Sequence, residues 1–405
     1  MNWLRFAFRN LFRNKRRAAT TLLITAIGTA TVLAASGFVL YNYDGLRRLA
    51  AFENGHLILG DPRHFEDEEE TPMAFGLQGY AELQRELEAD PRVRAALPRA
   101  ELTGLISNGD KSTIFMGTGI DPREFKVRGP VFKLLEGELL AEAFASADEP
   151  QVLLAKDLAR TLKGKVGDGL TLLSTTANGA LNALDVKVTG IFTSGVPELD
   201  ARMILVHLGT AQSLLASHKA TTLSVYLRDT DLTEPMAKEV RSRHPDLGVR
   251  TWEDLATFYH KVKALYNRIF ATLGVIIVVM VFFAIYNTMS MVVVERTREI
   301  GTLIALGAYR WEIVRNFLLE SALLGAIGSG LGALLAATIS LALRHSHIMM
   351  PPPPGRTEGY PLLIYFYWDV ALVIMLLVIL TSAAAAWLAA RRGARKNIVE
   401  ALAHV

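Results

Sequence analysis

Residues 269–294 read IFATLGVIIVVMVFFAIYNTMSMVVV, 26 residues without one charged side chain. A helix needs ~20 apolar residues to cross a bilayer. Three more runs are uncharged: 18–43 for 26 residues, 321–343 for 23 and 370–390 for 21. A single run of this kind could be a buried core helix; four read as membrane spans. Basic residues precede the first run, as in a signal peptide. That run is roughly twice a 7–15-residue signal core, so it reads as an uncleaved anchor.

The rest of the composition fits a mixed protein. Of 405 residues, 51% are hydrophobic and 20% charged, and the mean hydropathy is +0.27. That is too apolar for an ordinary soluble chain and too charged for one that is membrane throughout. There is no cysteine, which excludes disulfides, thiolate metal sites and a Cys nucleophile.

Lys and Arg set the orientation. Arg5, Arg9, Arg13, Lys15, Arg16 and Arg17 precede the first span, and Arg391, Arg392, Arg395 and Lys396 follow the last. Both ends are therefore expected in the cytoplasm. Residues 42–268 hold 27 Lys+Arg against 33 Asp+Glu, while the remainder holds 16 against 7. The predicted order is a cytoplasmic N-terminal basic helix (1–17), a first span (18–43) and an extracytoplasmic domain (44–268). A second span (269–294), a cytoplasmic loop (295–320) and a third span (321–343) follow. A short outer loop (344–369), a fourth span (370–390) and a cytoplasmic tail (391–405) complete it. The basic residues are assigned to topology and anionic headgroups. No nucleic-acid motif accompanies them.

The fold class expected is an α-helical membrane protein with four transmembrane helices plus an α+β extracytoplasmic domain. Strands are predicted at 101–107 and 111–118 around a two-residue Asn108-Gly109 turn, and at 185–192, 203–206 and 222–227. Helical patterns cover 81–89, 157–162, 208–217 and 233–244. Two subdomains are expected, dividing within 125–150. The run EDEEE at 66–70 reads as a solvated loop. Leu255, Phe258, Val262 and Leu265 form one apolar stripe, which predicts a stalk helix at about 252–268 running on into the second span.

Catalytic motifs are missing. The string from Gly104 to Ser112 is the nearest approach to a P-loop, and Asp110 interrupts it before Lys111. His345 and His347 lack a further metal ligand nearby, so no metal or cofactor is expected. The spans carry no Asp, Glu, Lys, Arg or His, which disfavours ion-coupled carriers. Gly325, Gly328 and Gly332 give close-packing spacing in the third span, against either the same chain or a second copy. Pro351–Pro354 predicts a stiff outer loop.

The loop after the second span reads ERTREIGTLIALGA from Glu295. Ile300, Leu303, Ile304 and Gly307 fall on one helical face. Glu299 suits the positive start of the helix, and Gly307 suits its end. The apolar side either lies on headgroups or docks into a partner.

At these residues the sequence resembles a family. REIGTLIALGAYRWEIVRNFLLESALLGAIGSGLGALLA, residues 298–336, is similar to the signature of the FtsX/MacB/LolC–LolE group of ABC transporter permeases, the mechanotransmission or type VII kind. RNLFRNKRRAATTLL from Arg9 and AARRGARKNIVEAL from Ala389 resemble its two ends, except that Asn397-Ile398 stands where a Pro is frequent. LLEGELL and KGKVGDGLTL resemble its periplasmic core domain. The resemblance implies a multi-pass protein of the bacterial inner membrane whose large domain is periplasmic. It implies that ATP is bound by a separate ABC ATPase dimer and not by this chain, which is then no enzyme. With 17 residues before the first span, the ATPase is expected on another polypeptide. It implies a second permease copy, identical or not. Glu299, Ile300, Gly301, Leu303, Leu306 and Gly307 become the ATPase-coupling element. Three functions remain: handling a lipoprotein, lipid or other amphiphile; MacB-like export through a periplasmic adaptor; and FtsX-like activation of a wall hydrolase.

Overall fold

The uncharged runs form the centres of four helices: Lys15–Asn54, Thr257–Glu295, Arg310–Ser346 and Trp368–Gly393. Each is long and apolar enough to cross a membrane. The structure, a computed structural model, describes residues 15–67, 69–128, 132–141, 149–346, 348–352, 357 and 359–393. Most of the N-terminal basic helix, His347, Pro353, Pro354 and the tail from 394 lie outside the described residues. The chain forms two units, one of membrane helices and one of residues 45–260 with 350–360.

In the helical unit the third helix packs through its glycines. A Cβ on Gly325 would lie 2.6 Å from the Ser382 hydroxyl, and one on Gly328 2.8 Å from Thr25. One on Gly332 would lie 2.6 Å from the Ala26 carbonyl oxygen. The neighbours are thus the fourth and first helices of the same chain. Close approach lets hydroxyls find partners: Ser321 donates to the Ser382 carbonyl at 2.7 Å, and Thr21 and Thr288 share a 2.9 Å bond. Residues 362–367 are not helical, and there the Ile364 carbonyl accepts from Ser340 at 2.6 Å.

The second unit is built on a ten-stranded mixed sheet. Its strands are β1 (Leu57–Gly60), β2 (Val93–Ser107), β3 (Ser112–Ile120), β4 (Lys133–Gly137) and β5 (Gln151–Ala155), then β6 (Gly169–Thr175), β7 (Leu181–Thr193), β8 (Met203–His207), β9 (Thr222–Leu227) and β10 (Gly248–Thr251). The order is β10-β1-β9-β2-β3-β8-β5-β7-β4, with β6 against β2 and β7. β3 with β8 and β5 with β7 are parallel; the other pairs are antiparallel.

Two large cores lie in this unit, with smaller apolar clusters beside them. One gathers Leu57, Leu59, Leu223, Val225, Met236 and Val249. The other gathers Leu102, Phe115, Val152, Leu172, Val188 and Val206. The change from one to the other falls within β2, not at 125–150. The first half of β2 pairs with β9 and the second half with β3, so one strand serves both cores. The β2–β3 connection is also longer than a two-residue turn. It spans 108–111, held by Asn108 Oδ1 accepting from the Lys111 amide at 2.7 Å.

The expected helix from 252 breaks at Ala256. Thr251 and Asp254 form a reciprocal capping box that starts a short helix, Trp252–Leu255, and Ala256 leaves helical geometry at φ −81°, ψ 53°. The break buries Trp252 with Ala51, Ala256 and Tyr259. Leu255, Phe258 and Leu265 are instead exposed, and Val262 is half-buried. The stripe is therefore not the packed face: Leu255 belongs to another helix, and Tyr259 is the residue that packs.

His56 joins the end of the first helix to β1 and is buried. Its Nδ1 accepts from the Leu227 amide at 3.2 Å, which leaves Nε2 to face Thr230 Oγ1 at 3.2 Å. Burial, with Arg47 beside it, lowers its pKa to about 4.

Two outcomes follow. Gly332→Leu should destabilise the helical unit by about 1–3 kcal/mol through overpacking, while Gly330→Leu, with open space around it, should not; thermal midpoints in detergent compare them. His56 is neutral in the fold and takes a proton more readily when unfolded. Its contribution is complete above pH ~6.5 and falls as pH drops towards 4. Wild type should melt lower at pH 5 than at pH 7, and His56→Gln should show a flatter profile.

Candidate functional site

The segment Thr297–Ala305 is a two-turn helix following Arg296. Its end is a Schellman motif. Gly307 has φ +95°, its amide donates to Ile304 at 3.0 Å, and the Ala308 amide donates to Leu303 at 3.0 Å. The next helix starts at Arg310, where Glu312 accepts from the Tyr309 amide at 3.2 Å. The tight turn 306–309 is thus fixed from both sides.

The predicted single apolar face divides in two. Ile300 packs with Val293, Ile313, Val314, Phe317 and Ala390, with Ile304 at the margin. Gly301 is buried beside it. Leu303 and Leu306 point away, 48% and 81% exposed. The reason is angular: i+3 falls about 60° short of a full turn and i+4 about 40° past it, so Ile300 and Ile304 can face inward while Leu303 does not. Tyr309 (77% exposed) and Trp311 (60%) extend the bare surface. Sequence reading missed both, although two aromatics flanking the start of a helix beside a Gly-Ala turn were a visible signal. Glu299, in the first turn, is exposed.

Charged groups tie the helices together at this end. Arg17 donates to both Glu295 oxygens, at 3.0 and 2.8 Å. Arg296 pairs with Glu320 at 3.5 Å, both largely buried. Arg392 donates to the Tyr286 hydroxyl. Arg17, Arg296 and Arg392 therefore have partners within the protein. Leu303, Leu306, Tyr309 and Trp311 remain bare on a capped turn, among the exposed Arg298, Glu299 and Arg310.

Comparison with known proteins adds the following. The MacB-like periplasmic core domain matches residues 18–243, and the FtsX-like permease C-terminal region matches 271–398. The lipoprotein-releasing system transmembrane protein LolC of Xylella fastidiosa is 28% identical over 249 residues, 59% of each chain. The macrolide export ATP-binding/permease protein MacB of Bordetella avium is 24% identical over 351 residues, 84% of this chain and 52% of that one. The chain thus spans between half and three-fifths of the length of these relatives. The crystal structure of the periplasmic region of MacB from Actinobacillus actinomycetemcomitans covers 50% of this chain, with a TM-score of 0.38 and 14% identity.

The two faces predict opposite effects. Ile300→Asp buries an unpaired charge and should cost more than about 3 kcal/mol, seen as a lower thermal midpoint. Leu306→Asp should leave the midpoint at the wild-type value.

Proposed function

We infer the function from a premise of kinship: the chain belongs to the MacB-like periplasmic core domain family and carries the FtsX-like permease region. We propose that it is the membrane subunit of an ABC transporter of the MacB, LolC and FtsX type. In this reading it sits in the bacterial inner membrane, with both termini cytoplasmic and the sheet-bearing unit periplasmic. A separate ATPase dimer docks on Leu303, Leu306, Tyr309 and Trp311, and two permease copies complete the complex. ATP-driven motion is passed to the periplasmic unit, which handles a lipoprotein, lipid or other amphiphile.

One observation carries this reading. The helix Thr297–Ala305 anchors one side in its own core and leaves the other bare, with Leu306 81% exposed. An apolar residue held out on a capped turn gains only when something covers it. Likeness to LolC supports the lipoprotein branch. Likeness to MacB over 84% of the chain supports a second branch, export through an adaptor.

Leu306→Asp and Trp311→Asp should weaken capture of the cognate ATPase at least tenfold at wild-type expression. The purified chain alone should hydrolyse no ATP above background. Undiminished capture by both variants would leave this surface as a headgroup-lying helix.

A further inference from the structure

Two guanidinium groups are buried beside a cavity in the sheet-bearing unit. Arg99 on β2 and Arg128, at the end of the short helix Arg123–Arg128, share the Glu124 carboxylate. Arg99 Nη2 donates to Glu124 Oε1 at 2.6 Å and Arg128 Nη1 to the same oxygen at 2.7 Å. Arg99 Nη2 also reaches the Tyr226 hydroxyl at 2.6 Å and the Glu53 carbonyl at 3.1 Å. Arg128 Nε donates to the Phe52 carbonyl at 3.1 Å. The side chains are 13%, 8% and 1% exposed for Arg99, Arg128 and Glu124.

One end of each guanidinium is left over. Arg99 Nη1 and Arg128 Nη2 have no hydrogen-bond partner among the described residues, and neither is sealed from open space. Both arginines line a cavity of about 180 Å³, together with Glu101, Phe132, Ser194 and Leu205. A second cavity of about 200 Å³ shares Glu101, Thr118, Leu199 and Met203 with it and adds Met116 together with Thr103, Glu198 and Arg202. Apolar side chains there stand among charged ones. Lys156 pairs with the buried Asp200 at 3.2 Å, which fixes the helical turn that carries Leu199.

Within the cluster two guanidiniums share one buried carboxylate, and their left-over N–H ends face the cavity. Burial, and then Arg99, lowers the pKa of Arg128. Glu53 and Glu101 also line the wall and act through space on Arg128 and Arg99, so the foothold for an anion is the pair of free N–H ends. An entering anion would meet two preset N–H donors, the geometry guanidinium groups use for carboxylate and phosphate.

We propose that this cavity binds a small organic anion, a carboxylate or phosphate monoester, with its oxygens on the free Nη ends and a short apolar stem along Met116, Leu199 and Met203. The assignment is independent of the coupling surface, because ATPase capture does not enter its test. The bland rival is a purely structural ion cluster whose cavity holds only water.

Calorimetric titration of the full chain in a neutral maltoside detergent separates them. Hexyl phosphate should bind one to one, inorganic phosphate at least tenfold more weakly, and hexanol without saturation. Leu199→Trp, which fills the groove without touching the arginines, should melt at the wild-type temperature and bind hexyl phosphate at least tenfold more weakly. Arg128→Gln should do the same to binding, whatever its midpoint. Absence of saturable hexyl phosphate binding by wild type would overturn the proposal. So would wild-type affinity in both variants, or equal affinity for inorganic and hexyl phosphate.

Discussion

A backbone cannot meet another backbone through a side chain, and the helical unit depends on that constraint. Around Gly325, Gly328 and Gly332 the third helix meets the fourth and the first at distances where even a methyl group would collide. In hydrocarbon there is no hydrophobic force between helices, so such van der Waals contacts and the hydrogen bonds they permit do the holding. The Ser321 bond to the Ser382 carbonyl exists because Gly325 lets the two helices close. The ion pair of Arg17 with Glu295 ties the first helix to the second, and that of Arg296 with Glu320 ties the end of the second to the third.

That fastening gives the short helix Thr297–Ala305 its meaning. A helix of nine residues is marginal by itself. It persists because Ile300 is held in a core made by the second, third and fourth helices. Force applied to Leu306 or Trp311 would therefore be felt by those three helices together. An apolar patch on a loose loop would absorb the same force.

The four spans were legible because hydrocarbon tolerates no charge, and an uncharged run is a direct trace of that rule. β9 was found because Thr222–Leu227 is rich in β-branched and aromatic residues between turn signals. LILG at 57–60 and QVLLA at 151–155 were missed. Both are almost wholly buried strands, and a short run apolar on both faces has no period to detect. The two-core division was hidden for a different reason: β2 is continuous in sequence while its partners, β9 and β3, come from distant segments. At the candidate site, periodicity located the helix and its glycine cap. It could not say which residues the rest of the chain would cover, since the core that takes up Ile300 is assembled from residues as far apart as Val293 and Ala390. The Arg99, Glu124 and Arg128 cluster was unreadable for the same cause, with its members gathered by the sheet.

The distribution of space bears on how the protein works. Between the membrane helices lies a void of about 20 Å³ lined by Gly28, Val32, Ile277, Val281 and Val378 among others. That is room for about one water, behind almost wholly apolar walls. Most hydroxyls of the bundle bond to each other or to backbone, as in the Thr21–Thr288 pair, whereas Thr29 Oγ1, on the wall of the void, has no partner among the described residues. The sheet-bearing unit has the opposite character: cavities of about 180 and 200 Å³, carrying guanidiniums, carboxylates and apolar side chains side by side. The interior of the bundle is close-packed, and the room for a small molecule lies in the sheet-bearing unit.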